Sequence, residues 1–364
     1  MYALGFLLLL GPLVTLHELG HYLVGRWFGV KAEAFSVGFG KELAGYTDKR
    51  GTRWRLSALP LGGYVQFAGD MNPAGQPSEE WLALPEKERA KTFQSKTLWQ
   101  RALIVAAGPL TNFLIAIVIL AAFNMIYGRA VVPPVVGMVE TGSVASEAGL
   151  VPGDRIVAID GREVDDFMQV YRYVVINPGA QLDLSIERDG ERRELEVTLA
   201  VLTARDEFGN ASRIGRLGVK PAEGGAILPA GPVEATTLAI DQTGDIVVMM
   251  VRGIRQIVTG VRPVSELGGP IKMAKFSGEQ LSLGWPQFVW LVAMVSINLA
   301  FINLLPIPAL DGGHLAFYAA EAVRRKPASP RSQEWAFRTG IAFVLALMLF
   351  VTINDVVSLL PFGG

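Results

Sequence analysis

Two histidines and a glutamate lie within five positions of one another near the start of the chain. His17, Glu18 and His21 follow the pattern H-E-x-x-H. Positions i and i+4 of an α-helix share one face, so both imidazoles would point to the same side. Two such imidazoles suit Zn²⁺, and a glutamate one residue further round could serve as general base for a water molecule at the metal. The motif therefore predicts a zinc-dependent hydrolytic site.

The segment that carries this motif is apolar enough to cross a membrane. Residues 3–30 contain no charge besides Glu18 until Arg26. A charged side chain at the centre of a bilayer costs roughly 2.5–3.5 kcal/mol or more, so three polar groups on one face at this depth need a compensating partner such as a metal ion. The segment has no basic residue before Arg26 and therefore lacks the n-region of a cleavable signal peptide, so we expect it to be retained.

A zinc site of this kind needs a third protein ligand and leaves the fourth position for water. The chain has no cysteine and only three histidines, so the candidates from other apolar segments are Asp311, His314 and Asp355. Asp311 ends the third such segment at the predicted depth of His17 and His21, whereas Asp355 lies toward the opposite side of the membrane. His314 stays a candidate because histidine is the commoner zinc ligand.

Composition and hydropathy indicate a polytopic membrane protein. The 364 residues are 51% hydrophobic and 18% charged, whereas soluble domains carry about 25% charge. The net charge of −1 gives no basic bias toward nucleic acid, and the lack of cysteine excludes disulfides and thiolate catalysis. Four apolar segments are long enough to cross the ~30 Å hydrocarbon layer, at 3–30, 103–127, 286–310 and 340–361.

The distribution of lysine and arginine predicts the orientation of these segments. The loop from Arg26 to Arg101 holds 12 of the 33 basic residues and 324–338 holds 5, whereas the chain before 26 and after 338 holds none. The positive-inside rule places 31–98 and 324–338 in the cytoplasm. We expect a multi-pass protein of the bacterial inner (plasma) membrane, with both termini and 128–285 outside the cytoplasm and the metal site toward the cytoplasmic side.

The portions between the apolar segments differ in pattern. Residues 131–201 alternate strand-like and helix-like runs and predict a small α/β domain, followed by a glycine-rich connector at 202–232. Residues 240–262 place apolar residues at helical spacing among arginines, which is typical of an interfacial helix or of a helix packed on the soluble domain. Residues 34–69 have strand-like runs interrupted by glycines and are expected to associate with the membrane.

Three motifs in three apolar segments together resemble the site-2 protease family of zinc intramembrane metalloproteases, in the branch that includes the bacterial regulator-of-sigma-E protease. They are HELGH at 17–21, AGPLTNF at 107–113 and NLLPIPALDGG at 303–313. The resemblance implies four transmembrane helices, a membrane-associated cytoplasmic β-hairpin region and an inserted extracytoplasmic α/β PDZ domain. It implies Zn²⁺ as cofactor and cleavage of transmembrane segments of single-span proteins, such as anti-sigma factors or remnant signal peptides, within the lipid bilayer.

The family resemblance also implies roles for particular residues. The third zinc ligand is the Asp of LDG, which is Asp311 here, beside His17 and His21, with Glu18 as catalytic base. Asn303, eight residues before Asp311, corresponds to an asparagine that handles substrate in relatives.

Two prolines follow Asn303 and are expected to break the helix. Broken backbone at membrane depth is tolerated where it lines a cavity or is buried in protein. We therefore predict that Asn303, Pro306 and Pro308 contribute to substrate binding.

Residues 143–164 resemble the core of a permuted, bacterial-type PDZ domain. Some relatives carry two such domains in tandem, and this sequence shows one copy. The expected groove is edged by Val135, Val136, Gly137 and Met138, which would bind a peptide or chain end as an added strand. A domain of this kind could instead serve only as a spacer.

Three further features of the sequence predict local structure. Gly108 and Asn112, four residues apart in the second apolar segment, predict a helix contact against the catalytic helix. Residues 38–40 (Gly-Phe-Gly) resemble the family's membrane-associated hairpin, whose edge could pair with an unwound substrate, although an ordinary cytoplasmic turn has the same pattern. Asp355 is expected to lie at the membrane interface.

The predicted organisation has four parts: an N-terminal catalytic membrane half at 1–127, a PDZ domain at 128–202, an extracytoplasmic connector with an interfacial amphipathic helix at 203–285, and a C-terminal catalytic membrane half at 286–364. Two other functional classes fit less well. A non-proteolytic metal-binding membrane adaptor that acts through its PDZ domain would not need Glu18. A metal-dependent transporter would need polar residues through all spans, and 103–127 has almost none.

Overall fold

The computed structural model describes residues 1–69, 85–205, 211–260, 264 and 268–359. The chain forms two compact units. The first unit combines Met1–Leu120 with Gly268–Val356, and the second unit combines Ala121–Leu267 with Val357–Gly364.

Helices form most of the first unit. Its elements are α1 (Tyr2–Trp27), β1 (Ala32–Thr47), β2 (Arg53–Phe67), α2 (Glu86–Arg89), α3 (Leu98–Tyr127), α7 (Pro270–Leu283), α8 (Trp285–Leu304), α9 (Asp311–Arg324) and α10 (Pro330–Leu359). The last residues of α3 and α10 belong to the second unit, which also holds α4 to α6. Among the described residues, four helices are long and apolar enough to cross a membrane, namely α1, α3, α8 and α10.

The third and fourth of these helices differ from the apolar segments that predict them. Helix α8 ends at Leu304, and Leu305 has an extended backbone with φ −64° and ψ 142°, because a residue before a proline is disfavoured in the helical region. Helix α10 begins ten residues before the predicted 340–361 segment. Its first turns contain polar residues, and Glu334 and Arg338 pair one turn apart at 2.5 Å.

The two strands of the first unit are long and bent, so they pair with each other more than once. Residues 34–37 pair with 63–66 on one side and with 53–56 on the other. The sheet packs on α1 through aromatic side chains, and the buried cluster includes Tyr22, Phe35, Phe67 and Ile104. One strand segment, 63–67, thereby comes to lie beside the histidine-bearing part of α1.

Helix α7 is fixed to α10 and packs on α1. Asp355 of α10 is fully buried and accepts hydrogen bonds from the backbone N–H groups of Gly269, Ile271 and Lys272 at 2.9, 3.1 and 3.0 Å. The carboxylate therefore caps the N-terminus of α7, where the helix dipole favours a negative charge. Asp355, expected from the sequence at the membrane interface, is thus part of a buried helix contact.

The second unit contains most of the strands. Its elements are β3 (Arg129–Val131), β4 (Val136–Val139), α4 (Val144–Glu147), β5 (Arg155–Ile159), β6 (Arg162–Glu163), α5 (Phe167–Val175), β7 (Gln181–Arg188), β8 (Glu191–Thr198), β9 (Ala200–Arg205), β10 (Ala211–Arg216), β11 (Val219–Pro221), β12 (Ala226–Leu228) and α6 (Pro232–Val258). Four strands form a sheet in the order β6-β5-β7-β8. Apolar residues of β5 and alternating apolar residues of β7 enter one buried core with α5.

The glycine-rich stretch after β8 forms paired strands, where the sequence predicts a connector. Strands β9 and β10 pair with each other, β11 pairs with β4, and β12 pairs with β3. The α/β fold therefore continues beyond residue 202. The pairing partners of β11 lie about 80 positions earlier in the chain (Val219 with Val139), which local sequence patterns do not reveal.

Helix α6 contacts the α/β part of the second unit through polar side chains. Arg172 of α5 pairs with Asp245 at 3.2 Å, and Gln256 donates to the carbonyl of Ile176 at 2.9 Å. Apolar side chains elsewhere on the helix are exposed, including Val251 and Val258. Contact with the soluble domain is thus present, together with the exposed apolar side chains that an interfacial helix would carry.

Candidate metal centre

Three side chains from two helices converge on one point of the first unit. His17 and His21 lie one turn apart on α1, and Asp311 is the first residue of α9. The Nε2 atoms of the two imidazoles are 3.2 Å apart, and Asp311 Oδ2 lies 3.1 Å from His17 Nε2 and 3.6 Å from His21 Nε2. Both histidines are more than nine-tenths buried.

These separations fit a tetrahedral zinc ion. Nitrogen and oxygen ligands at ~2.0–2.2 Å from tetrahedral Zn²⁺ are about 3.3–3.6 Å from one another. The three observed separations of 3.1, 3.2 and 3.6 Å lie close to that range. Asp311 Oδ2 is buried and accepts no hydrogen bond from the described residues, which is costly for a carboxylate oxygen unless a cation compensates it. The donor set and its spacing therefore suit Zn²⁺.

The orientation of His21 is also that of a metal ligand. Its Nδ1 lies 2.8 Å from the main-chain carbonyl oxygen of Ile104 on α3. A carbonyl oxygen can only accept, so Nδ1 carries the proton and Nε2 keeps its lone pair for the metal. Metal-binding histidines commonly hold their second nitrogen in this way.

Helix α3 leaves space for the metal where it passes the two histidines. A Cβ atom at Gly108 would overlap His21 Nε2 and would lie 2.7 Å from His17 Nε2. Any side chain at this position would therefore occupy the space beside the ligand atoms. Gly108, predicted from the sequence as a packing residue, forms the wall of the metal site.

Glu18 lies at the edge of the same site, next to the strand segment 63–67. Its Oε2 accepts a hydrogen bond from the backbone N–H of Val65 at 3.1 Å. Both residues line a cavity of about 470 Å³ that also includes His17, His21 and Asp311. The cavity gives the carboxylate access to a water molecule or a peptide bond near the histidines.

The other predicted residues of this region fall into two groups. Asn303, in the last turn of α8, lines the cavity, and so does His314 of α9. Burial lowers the pKa of His314. Pro306 and Pro308 lie between α8 and α9 and are not among the residues that line the cavity. His314 is outside the three-residue group whose ligand atoms lie within 4.8 Å of one another.

A second cavity, of about 260 Å³, lies in the second unit. It is lined by one face of α5, including Val170 and Val174, and by residues 214–220. The residues predicted to edge a peptide groove are in and before β4: Val136 is fully buried, and none of Val135, Val136, Gly137 and Met138 lines this cavity. Strand β11 pairs with β4 and contributes Val219 and Lys220 to the cavity in its place.

Several site residues were not assigned a role in the site from the sequence. They are Val65, which binds Glu18, and three residues of α3 that contact or border the histidines, namely Ile104, Gly108 and Asn112. The AGPLTNF motif drew attention to two of them. Their role depends on the rotation of α3 about its axis, which motif spacing does not determine.

The family model and the sequence relatives of this chain agree with each other. A model of peptidase family M50 matches residues 5–347. A relative from Agrobacterium fabrum, whose curated name contains the words zinc metalloprotease, is 44% identical over 363 residues, covering 99% of this chain and 96% of the relative. Metalloprotease MmpA of Caulobacter vibrioides is 35% identical over 373 residues, covering 96% and 94%. Among solved structures, the PDZ domain of an SdrC-like protein from Listeria monocytogenes matches 24% of this chain and 86% of its own, at 19% identity and a TM-score of 0.20.

Proposed function

Because the chain belongs to peptidase family M50 and is a metalloprotease, we propose that it is a zinc-dependent intramembrane endopeptidase that cleaves transmembrane segments of single-span proteins. One observation carries the proposal. His17, His21, Asp311 and Glu18 line a single cavity, and the two histidines and the glutamate lie on a helix that is long and apolar enough to cross a membrane. A hydrolytic site on such a helix can reach peptide bonds that lie within the bilayer.

The residues of the cavity divide the chemistry among them. His17, His21 and Asp311 would hold the zinc ion, which when bound polarises a peptide carbonyl and acidifies a water molecule. The Glu18 carboxylate takes the proton from the attacking water and delivers it to the nitrogen of the leaving amine. Its hydrogen bond from Val65 N–H, at 3.1 Å, holds the carboxylate at the cavity wall for both transfers.

A transmembrane substrate must unwind before it can be cleaved. A helix uses its carbonyl groups in its own i→i−4 hydrogen bonds, so the scissile carbonyl is not available until these open. The strand segment 63–67, with Val65 N–H directed at Glu18, offers backbone groups for an added substrate strand. Asn303 lines the same cavity and offers a side-chain amide to the opened chain.

The substrates we propose are single-span proteins that have already been trimmed outside the cytoplasm, such as anti-sigma factors, or remnant signal peptides. In this proposal the protein spans the bacterial plasma membrane with both termini and the second unit outside the cytoplasm. The basic residues of 31–98 and 324–338 support that orientation.

The second unit, in this proposal, is a PDZ domain that selects substrates through the cavity between α5 and β11. A peptide or chain end would add as a strand to β11, and apolar side chains would enter between α5 and residues 214–220. Strands β3 and β12 pair Arg129 with Leu228, so the flanks of the domain lie side by side. Excision of 132–225 with a short Gly-Ser linker should leave zinc and some proteolysis but change which substrates are accepted. A folded, zinc-loaded excised protein that cleaves nothing would contradict this role.

The decisive experiment on the proteolytic function is Glu18→Gln. The substitution removes the base but no metal ligand, so the purified variant should keep near-stoichiometric zinc and lose cleavage of a model transmembrane substrate. In cells, membrane proteomes should show single-span fragments that accumulate with the variant and disappear with the wild type.

Glu279→Gln is the matched control, since Glu279 pairs with Lys275 on α7 and does not line the cavity. It should cleave the model substrate like the wild type. Wild-type cleavage by zinc-loaded Glu18→Gln would refute the mechanism. Loss of zinc from Glu18→Gln would show that Glu18 helps to hold the metal, which would contradict its role as a base that is not a ligand.

A further inference from the structure

One stripe of α3 faces the two histidines of α1. Ile104, Gly108 and Asn112 follow one another at intervals of four residues, so they share a face of the helix. Ile104 supplies a carbonyl to His21, and Gly108 supplies the space beside both Nε2 atoms. Asn112, the third member, contacts the other histidine: its Nδ2 lies 3.2 Å from His17 Nδ1.

The direction of the hydrogen bond at Asn112 decides whether His17 can bind a metal. If the amide nitrogen donated to Nδ1, the neutral ring would carry its proton on Nε2, the atom that faces His21 Nε2 and Asp311 Oδ2. A ring in that tautomer has no lone pair on Nε2 for zinc. A zinc-binding His17 must therefore carry its proton on Nδ1, and that proton needs an acceptor.

The side chain of Asn112 holds the required acceptor. It is fully buried, and its Oδ1 has no hydrogen-bond partner among the described residues. The two ends of an amide have nearly the same shape, so a half-turn of the group exchanges Oδ1 and Nδ2. That exchange places the unpartnered oxygen about where Nδ2 now lies, next to His17 Nδ1.

We infer that Asn112 is a positioning residue for the metal site: its Oδ1 accepts the Nδ1 proton of His17 and so keeps His17 Nε2 free to bind zinc. The inference rests on the proposed zinc site. It gives α3 a matched function toward both histidines, with a main-chain carbonyl for His21 and a side-chain carbonyl for His17.

The backbone of Asn112 is itself held in place. Its main-chain carbonyl oxygen accepts a hydrogen bond from Ser296 Oγ of α8 at 2.8 Å, and Ser296 is fully buried. The neighbouring helix α8 therefore helps to fix the height of the amide relative to His17. A fixed acceptor orients an imidazole at little entropic cost, which is the usual benefit of such outer contacts.

The test compares two substitutions at position 112 by their effect on zinc affinity, measured on the purified full-length protein by competition with a chelator. Asn112→Leu has nearly the same size and no acceptor, so zinc affinity should fall about 10–100-fold, as for other lost partners of metal-binding histidines. Asn112→Asp keeps an acceptor at the same place, so zinc affinity should equal or exceed that of the wild type. Asn124→Leu is the matched control on the same helix, because Asn124 contacts Ala235 and Gln242, and it should not change zinc affinity.

Each outcome bears on the inference separately from the zinc site. Wild-type zinc affinity in folded Asn112→Leu would overturn the role of Asn112. A fall of more than tenfold in Asn112→Asp would do the same, since a residue that only packs or donates would not tolerate the charge, and this result stands even if the leucine variant does not fold. Stoichiometric, tight zinc in Asp311→Ala would instead refute the metal site on which the inference rests.

Discussion

Asp311 and Asp355 are both carboxylates of the first unit, and they differ in what surrounds their oxygens. Asp355 is completely buried, and three backbone N–H groups at the start of α7 donate to it. No described residue donates a hydrogen bond to Asp311 Oδ2, which lies between two imidazole nitrogens. Both residues were candidate zinc ligands by composition, yet of the two only Asp311 has a buried oxygen without a hydrogen-bond partner in the described part of the chain.

The difference shows how a carboxylate that stabilises the fold can be distinguished from one that binds a metal. A buried carboxylate is stable when its charge is compensated within the chain, as Asp355 is by the helix terminus and by Lys272 Nζ at 3.9 Å. A carboxylate that lacks such compensation marks a place where a cation can bind. In the second unit Asp154 extends the comparison: it is fully buried, and Arg188 donates to both of its oxygens.

The largest effect is expected at Asp311. Asp311→Ala removes one of three protein ligands, so zinc affinity should fall by more than the roughly 10–100-fold typical of an outer contact, and cleavage should be lost. His314→Ala is the matched control on the same helix and should retain most zinc and some activity. Side-by-side metal titration checks the ranking, and the reverse order would reassign the site to three histidines.

A smaller effect, of a different kind, is expected at Asp355. Asp355→Asn keeps one acceptor oxygen but loses the charge that stabilises the N-terminus of α7 and the neighbouring Lys272. The cost should be about 3 kcal/mol of unfolding free energy, seen as a lower thermal midpoint in detergent, while zinc content stays at the wild-type level. Loss of zinc at unchanged thermal stability would contradict a purely stabilising role for the Asp355 carboxylate.

The smallest effect, a pH-dependent loss of stability of the second unit, is expected on substitution of Asp154. Burial acts to raise the pKa of this carboxyl, but the Arg188 guanidinium and the N–H of Val151 outweigh it and hold the pKa below its usual range. A lowered folded-state pKa means that the carboxylate stabilises the fold above the unfolded-state pKa of about 3.9, and that this stabilisation is lost as pH falls further.

Asp154→Asn should therefore weaken the second unit at pH 7 and much less at pH 3. The variant and the wild type are unfolded with urea at both pH values. A short hydrogen-exchange pulse at one fixed labelling pH then reports how much of residues 151–188 is unfolded at each urea concentration. An equal difference between variant and wild type at the two pH values would show that the Arg188 contact does not depend on the charge of Asp154.

Helix existence could be predicted from the sequence better than helix limits. Hydropathy located four apolar segments, and the structure has four helices of suitable length and composition among its described residues. It did not locate the start of α10, because the helix continues through charged residues that pair one turn apart, such as Glu334 and Arg338. A break in the helix near the end of α8 could be predicted, since Pro306 restricts Leu305 to an extended conformation.

The candidate site shows the same division between pattern and placement. The spacing of His17 and His21 determines that they share a helix face. The predicted depth of Asp311 in the membrane matched that of the two histidines. The contacts of α3 with His17 and His21 could not be predicted, because they depend on which face of α3 is turned toward α1. The cavity beside α5 was missed because β11 looks like part of a glycine-rich connector until its pairing with β4 is known.

The pairing of β3 with β12 has a consequence for how such chains can evolve. Arg129 lies opposite Leu228, so the chain enters and leaves the intervening fold at neighbouring points. A domain attached by adjacent ends can be lengthened, exchanged or duplicated without changing the distance that its flanking segments must span, and the entropy of loop closure changes only slowly with the length of the insert. A longer or duplicated insert at this junction would therefore leave the flanking segments at the same separation.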